Sequence, residues 1–306
     1  MSAYAESADY TDAALKTGQF DGKQYGLPWY TGSIGLVTNT ALLEKAGVEN
    51  LPSTIDEFEE ALRAVAALGS NYLPYALSTK PEQVKDFIPW FKAFGSQIVD
   101  GDNVVINDEG GVAALTWLKD LYDQDLISLN IGRPEARTLF SQEQTAFFDD
   151  ASMVRGTVEN QAENPELVTT TVPMARPVVQ LGDKPQSLAW GSLLVVFDNG
   201  PVQTSADFAS FLSSDLETSL NRYSALGSAP TTYEAIEDPI YSDDPYSVAW
   251  QTAITDTAEP DPFWKFSAYG QMEAQLSSHI QAALIGQVTP QAALDAAAEE
   301  MQALVE

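Results

Sequence analysis

The sequence predicts an α/β fold, because amphipathic helices with recognisable caps alternate with short apolar strands. The clearest helix signal is the capping box Thr54-Ile-Asp-Glu57, which is followed by an apolar stripe over 58–65. The clearest strand signal is the continuous apolar run Trp190–Phe197, which is typical of a buried sheet strand. No fixed-period repeat or low-complexity tract interrupts this alternation.

Sequence patterns in the first half of the chain predict strands and helices in alternation. A short helix is expected to end at Gly47, and Val99–Ile106 predicts two strands around an Asp-Gly turn, because glycine supplies the positive φ that such a turn needs. The other expected ranges are 21–39 for a turn and a hydrophobic strand, 40–46 for the short helix, 73–77 for a strand, 109–124 for an amphipathic helix and 140–148 for a turn into a strand.

The second half predicts mostly helices after the apolar run. A capping box at Ser214-Asp-Leu-Glu217 begins one helix, and Thr289-Pro290 begins the last, since proline is favoured at the first helical position. The expected ranges are 205–212, 214–223, a long helix over 264–285 that stops at Gly286, and a terminal helix from 290.

Composition excludes several classes of function. With 306 residues, 44% of them hydrophobic and 10% aromatic, the chain can bury one large core or two moderate ones. A net charge of −29 repels nucleic acid and anionic lipid, and the absence of cysteine excludes thiol catalysis. No apolar run is long enough to span a bilayer, and the first eight residues lack the features of a signal peptide.

The known catalytic and metal-binding motifs are not found. Asp100-Gly-Asp102 resembles a calcium loop only superficially, because Val104 and Val105 stand where such a loop needs an oxygen ligand and a glycine. His279 has no motif partner, so a structural role is expected for it. The sequence has no phosphate-binding Gly-x-x-x-x-Gly-Lys loop, no Gly-x-Ser-x-Gly elbow and no His-Glu-x-x-His helix.

Several separated segments match one family in order. These segments are Tyr25-Gly-Leu-Pro28, Asn39 with Ala46-Gly47, Pro52 to Glu57, Phe140 to Phe148, Gly227-Ser-Ala-Pro230 and Gly286 to Leu294. Through them the chain resembles the extracellular solute-binding proteins of family 1, the maltose-binding-protein-like subunits of ABC sugar importers.

The resemblance implies two α/β lobes joined by crossing strands, with a ligand held in the cleft and a hinge that closes the lobes. Residues 1–35 and 190–254 would form a partial N-terminal lobe, and residues 36–189 and 255–306 the C-terminal lobe. The first matching segment arrives early in the chain, so the N-terminal lobe is expected to lack roughly its first hundred residues.

The resemblance also implies a function and partners. The protein would be a non-enzymatic carbohydrate-binding subunit that captures a sugar and delivers it to the permease subunits of an ABC transporter. It would be periplasmic or extracellular, anchored as a lipoprotein in its full-length form, without a cofactor or a metal.

Sugars present apolar faces ringed by hydroxyl groups, so their sites combine flat aromatic rings with carboxylates and other polar groups. Candidates lie at the expected lobe crossings, after a buried strand and on the expected cleft-facing helix. The candidate ligand-binding residues are Trp29, Tyr30, Thr31, Trp90, Asp149, Asp150, Trp190, Trp264, Tyr269 and Glu273.

The sequence departs from the family pattern and leaves alternatives open. Ala151-Ser152-Met153 stands where the family often has Gly-Pro-Trp, so an expected stacking aromatic is absent. The first alternative is a binding protein for another solute, such as a polyamine or a phosphorylated polyol. A phosphate ligand would need a basic group near the cleft.

The second alternative is a glycoside hydrolase that uses Asp149 and Asp150 as its two carboxylates. Neighbouring residues on a strand point to opposite faces, which argues against this pair. A folded lobe that depends on a partner is the third. The arginines near expected cleft segments are Arg133, Arg137, Arg155 and Arg176.

Overall fold

The computed structural model describes residues 1–305, except for the side chains at positions 82 and 83. Its strands are β1 (Gln19–Phe20), β2 (Lys23–Gln24), β3 (Gly26–Asn39), β4 (Tyr75–Ala76), β5 (Val99–Asp100), β6 (Asn103–Val104), β7 (Phe147–Ala151), β8 (Thr171–Met174), β9 (Ser187–Val195) and β10 (Ala258–Glu259).

The helices surround a central sheet. They are α1 (Ser2–Ser7), α2 (Asp12–Lys16), α3 (Thr40–Lys45), α4 (Ile55–Ala66), α5 (Ile88–Ala93), α6 (Glu109–Asp123), α7 (Arg133–Ser141), α8 (Val154–Gln161), α9 (Leu167–Thr170), α10 (Val202–Ser214), α11 (Leu216–Leu226), α12 (Tyr233–Glu237), α13 (Pro239–Ser242), α14 (Pro245–Ala253), α15 (Tyr269–Leu284) and α16 (Pro290–Gln302), with 3₁₀ turns at Pro81–Asp86, Thr255–Thr257 and Pro262–Lys265. None of these helices, within the described residues, has the length and apolar character that a bilayer crossing needs.

The long strand β3 connects two lobes. Its first part, from Gly26 to Ile34, pairs antiparallel with β9, and a β-bulge interrupts this pairing between Pro28 and Tyr30. Its second part pairs antiparallel with β7 on one edge and with β8 on the other. β4 joins β7 in parallel and β10 joins β9 in parallel, which completes the order β10-β9-β3-β7-β4. Because the first part of β3 pairs with β9 and the second part pairs with β7 and β8, this strand passes from one lobe into the other.

The larger lobe buries both faces of its part of the sheet. On one face, α4, α5, α6, α15 and α16 enclose a core that includes Phe58, Trp90 and Phe147. On the other face, Phe148 packs in a second core with Trp250 of α14. α14 falls inside the range predicted for the N-terminal lobe, 190–254, but it packs against the larger lobe.

The smaller lobe has a much smaller core. Leu27 of β3 packs there with Ala5, Tyr10 and Ala209. Two of these residues lie in the first helices of the chain or between them, and Ala209 lies on α10. In the smaller lobe, Leu27 of β3 is therefore covered by α1, by the segment between α1 and α2, and by α10.

Local signals in the sequence correctly predicted several elements. Thr54 Oγ1 accepts from the N–H of Glu57 at 3.3 Å and the Glu57 carboxylate accepts from the N–H of Thr54 at 3.2 Å, so the capping box is confirmed. Gly47 follows α3 with φ +80°, and Gly101 turns the β5–β6 hairpin with φ +56°. Pro290 begins α16 after the Thr289 cap.

Three expectations were wrong in detail. α11 is capped by Asp215, which accepts from the N–H of Thr218, and not by Ser214. The long helix expected over 264–285 begins only at Tyr269, because a 3₁₀ turn and an extended Phe266 precede it.

The third correction concerns the apolar run 190–197. It forms the end of β9 and a short continuation, but Leu193, Val195 and Phe197 are 38%, 50% and 75% exposed. In the described residues β10 pairs only with Ser187 and Leu188, so the rest of this edge of β9 has no neighbouring strand. Trp190, Leu194 and Val196 are half-buried and alternate with exposed side chains, so one face of this apolar run is open to solvent.

Candidate functional site

A cavity of about 300 Å³ lies where the two lobes meet. The smaller lobe contributes residues near α2, the crossing strands β3 and β9 contribute its floor, and the larger lobe contributes residues after β7 and around α14. Its lining includes Thr11, Ala13, Thr17, Thr31, Gly32, Ser152, Ala189, Trp190, Gly227, Ala229, Pro230, Ser247, Trp250 and Thr255. Both lobes can therefore contact one ligand at this place.

A second cavity of about 280 Å³ adjoins the first. The two share Ser152, Gly227 and Ser247 in their walls. The second is lined by charged and amide side chains from α8 together with Asp244, and by α11 on the opposite side. The cavities form one groove whose outer part is the more polar.

Trp190 and Trp250 are the two tryptophans that line the main cavity. Trp190 lies opposite Gly32 in the β3–β9 register, and a Cβ atom at Gly32 would lie 3.6 Å from the indole ring. The ring of Tyr30 lies 5.4 Å from that of Trp190, and its phenol oxygen accepts a hydrogen bond from Ser192 at 2.8 Å. Trp29 continues the series at 5.3 Å from Tyr30. The crossing strands thus present a fixed group of aromatic rings.

Hydrogen bonds between the lobes fix the floor of the cavity. Trp250 Nε1 donates to Ser33 Oγ at 3.0 Å, and Ser33 Oγ is 2.8 Å from the hydroxyl of Thr255. On the other side, the N–H of Thr31 donates to the carbonyl of Ala229 at 3.4 Å. These bonds hold α14 and the segment after α11 against β3.

A charged network closes the outer part of the groove. Arg155 Nη1 donates to Asp244 Oδ1 at 3.0 Å, and the hydroxyl of Tyr223 donates to the same carboxylate. Burial alone would raise the pKa of Asp244, but the hydrogen bonds from Tyr223 and the N–H of Tyr246, together with the charge of Arg155, hold it below its ordinary value. Burial and the bond to Asp244 raise the pKa of Tyr223.

A family model described as bacterial extracellular solute-binding protein matches residues 1–248. The chain belongs to this family. A binding protein of Brucella abortus is 23% identical over 171 residues, which cover 54% of this solute-binding protein and 41% of the relative. The match therefore spans less than half of that relative's length.

One further sequence match is shorter, and one solved structure shows a similar fold. The diacetylchitobiose binding protein DasA of Streptomyces coelicolor is 29% identical over 103 residues, which are 33% of this chain and 21% of DasA. The maltose-bound structure of MalE3 from T. maritima superimposes with a TM-score of 0.87 at 21% identity, over 99% of this chain and 78% of that one. This likeness confirms the predicted periplasmic-binding-protein-like α/β fold.

Two of the predicted site residues, Thr31 and Trp190, line the main cavity of this solute-binding protein. Tyr30 and Trp29 lie behind Trp190 in the aromatic series and are half-buried. Sequence analysis missed Ser152 and Trp250, which complete the wall from the larger lobe. Ser152 lies in the segment where the family resemblance predicted a stacking aromatic, which was a signal for this position. Trp250 has no such local signal, because contacts between distant parts of the chain bring it to the cavity.

Three other residues that the sequence analysis predicted to bind the ligand are buried inside the larger lobe, which is evidence against that role. Trp90 has no exposed surface, and its Nε1 donates to Tyr75 at 2.9 Å inside the larger core. Asp149 is also fully buried and is bound by Arg176 and Tyr75.

Asp150, the third of them, is 1% exposed. Arg137 holds it with two hydrogen bonds of 2.6 and 2.8 Å. Asp149 and Asp150 lie at the end of strand β7, as expected. Arginines of the same lobe form ion pairs with both carboxylates, and both are too deeply buried for a ligand to reach them.

The remaining candidates lie outside both cavities. Trp264 and Tyr269 are 43% and 45% exposed near the start of α15. Glu273 is half-buried on α15, and burial together with the charge of Asp261 raises its pKa to about 7. Their part in binding stays a prediction. Among the side chains that the structure describes, no three His, Asp or Glu residues converge in a way that could hold a metal ion.

Proposed function

We propose that this solute-binding protein captures a sugar or an oligosaccharide between its lobes and delivers it to the permease of an ABC importer. The observation that carries the proposal is the main cavity, which combines the aromatic ring of Trp190 with hydroxyl groups from both lobes. This is the combination that a sugar ring needs. DasA and MalE3, by their names, bind diacetylchitobiose and maltose.

The proposed mechanism is closure of the two lobes on the ligand. The apolar face of the sugar stacks on Trp190, and the hydroxyl groups of Thr31 and Ser152 exchange hydrogen bonds with its rim. Opening and closing bends β3 and β9, since these strands connect the lobes. Ligand binding favours the closed arrangement because only there do both walls contact the sugar.

Two of the alternatives, a phosphorylated polyol and a glycoside hydrolase, find less support in the residues that the sequence analysis named for them. Four arginines stand near the expected cleft segments, and each of them forms an ion pair with a carboxylate of the same chain: Arg133 with Asp86, Arg137 with Asp150, Arg155 with Asp244 and Arg176 with Asp149. None of these four is free to hold a phosphate group. A hydrolase would need accessible carboxylates, and Asp149 and Asp150 are both buried in such pairs.

Calorimetric titration with a panel of mono- and oligosaccharides tests the proposal. We expect saturable binding of at least one sugar, without release of a new reducing end. Trp190→Ala should weaken that binding by about tenfold, because the stacking face is lost. Phe20→Ala removes an aromatic ring that is 58% exposed and lines neither cavity, so it should leave the affinity unchanged. Equal affinities for both variants would contradict the proposed site.

A further inference from the structure

Arg222 of α11 differs from every other arginine of the chain. It forms no ion pair with any side chain that the structure describes, although the sequence contains 44 acidic residues. It is only 8% exposed, so water does not replace the missing anion. The other arginines all pair with carboxylates: Arg63, Arg133, Arg137, Arg155 and Arg176.

The guanidinium group of Arg222 has one edge without partners. Nη1 donates to the carbonyl of Leu212 at 3.0 Å, whereas Nε and Nη2 are buried and have no hydrogen-bond partner among the described residues. Burial lowers the pKa of Arg222. A buried cation without an anion costs folding free energy, so a fold that keeps one is expected to use it to bind a partner.

The free edge has the geometry that a carboxylate needs. Nε and Nη2 are the two atoms with which Arg137 holds Asp150 in this same protein, at 2.6 and 2.8 Å. Two parallel N–H donors match the two oxygens of one planar carboxylate. A neutral sugar hydroxyl would satisfy only one of them.

Arg222 lies directly behind the wall of the groove. The next residue, Tyr223, and the end of α11 line the outer cavity, and Gly227 lines both cavities. On the side of the crossing strands, the guanidinium carbon is 5.9 Å from the centre of the Trp29 ring. Trp29 begins the aromatic series that leads through Tyr30 to Trp190 in the main cavity.

We propose that Arg222 receives the carboxylate of an acidic sugar, such as a hexuronate, whose ring is bound in the groove. This proposal rests on the proposed sugar-binding function and narrows its substrate class. The half-buried ring of Trp29 covers the guanidinium group and turns aside to admit the carboxylate. Selectivity then arises at Arg222, because the net charge of −29 repels anions everywhere else.

The test compares matched acidic and neutral sugars on the intact chain. Calorimetric titration with D-glucuronate, D-galacturonate and their dimers is set against D-glucose, D-galactose and the neutral dimers. We expect the acidic member of at least one pair to bind about tenfold to hundredfold more tightly, as a charged hydrogen-bonded pair provides. The preference should weaken as salt is added.

Two variants separate Arg222 from general effects of charge. Arg222→Met keeps the length of the side chain and should abolish the acidic preference, whereas Arg63→Met, on the exposed face of α4, should retain it. Without ligand, Arg222→Met should melt at the same or a higher temperature, because it removes an unpaired buried charge.

The outcomes are distinguishable. Equal or tighter binding of neutral sugars by the unaltered protein overturns the inference and leaves the sugar-binding function standing. No binding of any sugar, acidic or neutral, contradicts both. A ligand-free Arg222→Met variant that melts at a clearly lower temperature also overturns the inference, because Arg222 would then serve the fold itself.

Discussion

Glu273 gives this protein a stability that should fall as the pH rises from 5 to 8. The carboxyl group lies on α15 beside Asp261, which is 2% exposed, and its pKa is raised from 4.5 to about 7. The folded protein therefore binds this proton more tightly than the unfolded chain does. That stabilisation is fully present below about pH 4.5 and is lost as the pH rises through about 7.

The magnitude follows from the size of the pKa difference. One pKa unit corresponds to about 1.4 kcal/mol, so the full difference would be worth about 3 kcal/mol. Glu273 is only half-buried, and solvent screens part of its interaction with Asp261. We therefore expect the unfolding free energy to fall by about 1 to 2 kcal/mol between pH 5 and pH 8 because of this group.

Urea unfolding at fixed ionic strength, repeated at half-unit steps of pH, measures this contribution. Other carboxylates also titrate, so the informative quantity is the difference between the unaltered protein and Glu273→Gln. The variant should lose the decline of about 1 to 2 kcal/mol, whereas Glu60→Gln, an exposed position on α4, should keep it. Parallel pH profiles for the unaltered protein and Glu273→Gln would refute the reasoning.

Two further predictions concern folding. Thr54→Ala removes the side-chain half of the α4 capping box and should cost about 1 kcal/mol in urea unfolding; an unchanged midpoint would contradict the role of the cap. Arg176→Met leaves Asp149 buried without its cation and should cost about 3 to 5 kcal/mol, whereas Arg63→Met, an exposed pair, should cost less than about 1 kcal/mol. Similar losses for both arginine variants would be evidence against a buried ion pair at Asp149.

The parts of the fold that the sequence could predict depend on neighbouring residues. The Thr54 cap, the Asp-Gly hairpin and the Pro290 helix start each involve residues within a few positions of one another. The interactions that form these elements are made between residues close in sequence, so a short stretch of sequence is enough to predict them. The resemblance to the solute-binding family extended this to the order of the elements and to the crossing strand β3.

The site was predicted only in part, because burial depends on contacts between distant residues. Asp149 was taken for a ligand residue, since nothing nearby in sequence shows that Arg176 pairs with it. Trp250 is held at the cavity by a hydrogen bond to Ser33, which lies more than two hundred positions earlier in the chain. The role of Arg222 is not predictable from the sequence, because its lack of an ion pair among the described side chains is visible only in the folded structure.

A crystal structure of the protein with a bound sugar tests the central claim most directly. The account predicts one sugar ring in the cavity between the lobes, stacked on Trp190 and within hydrogen-bonding distance of Thr31 and Ser152. A sugar bound at a surface away from β3 and β9, with this cavity filled only by water, would contradict it.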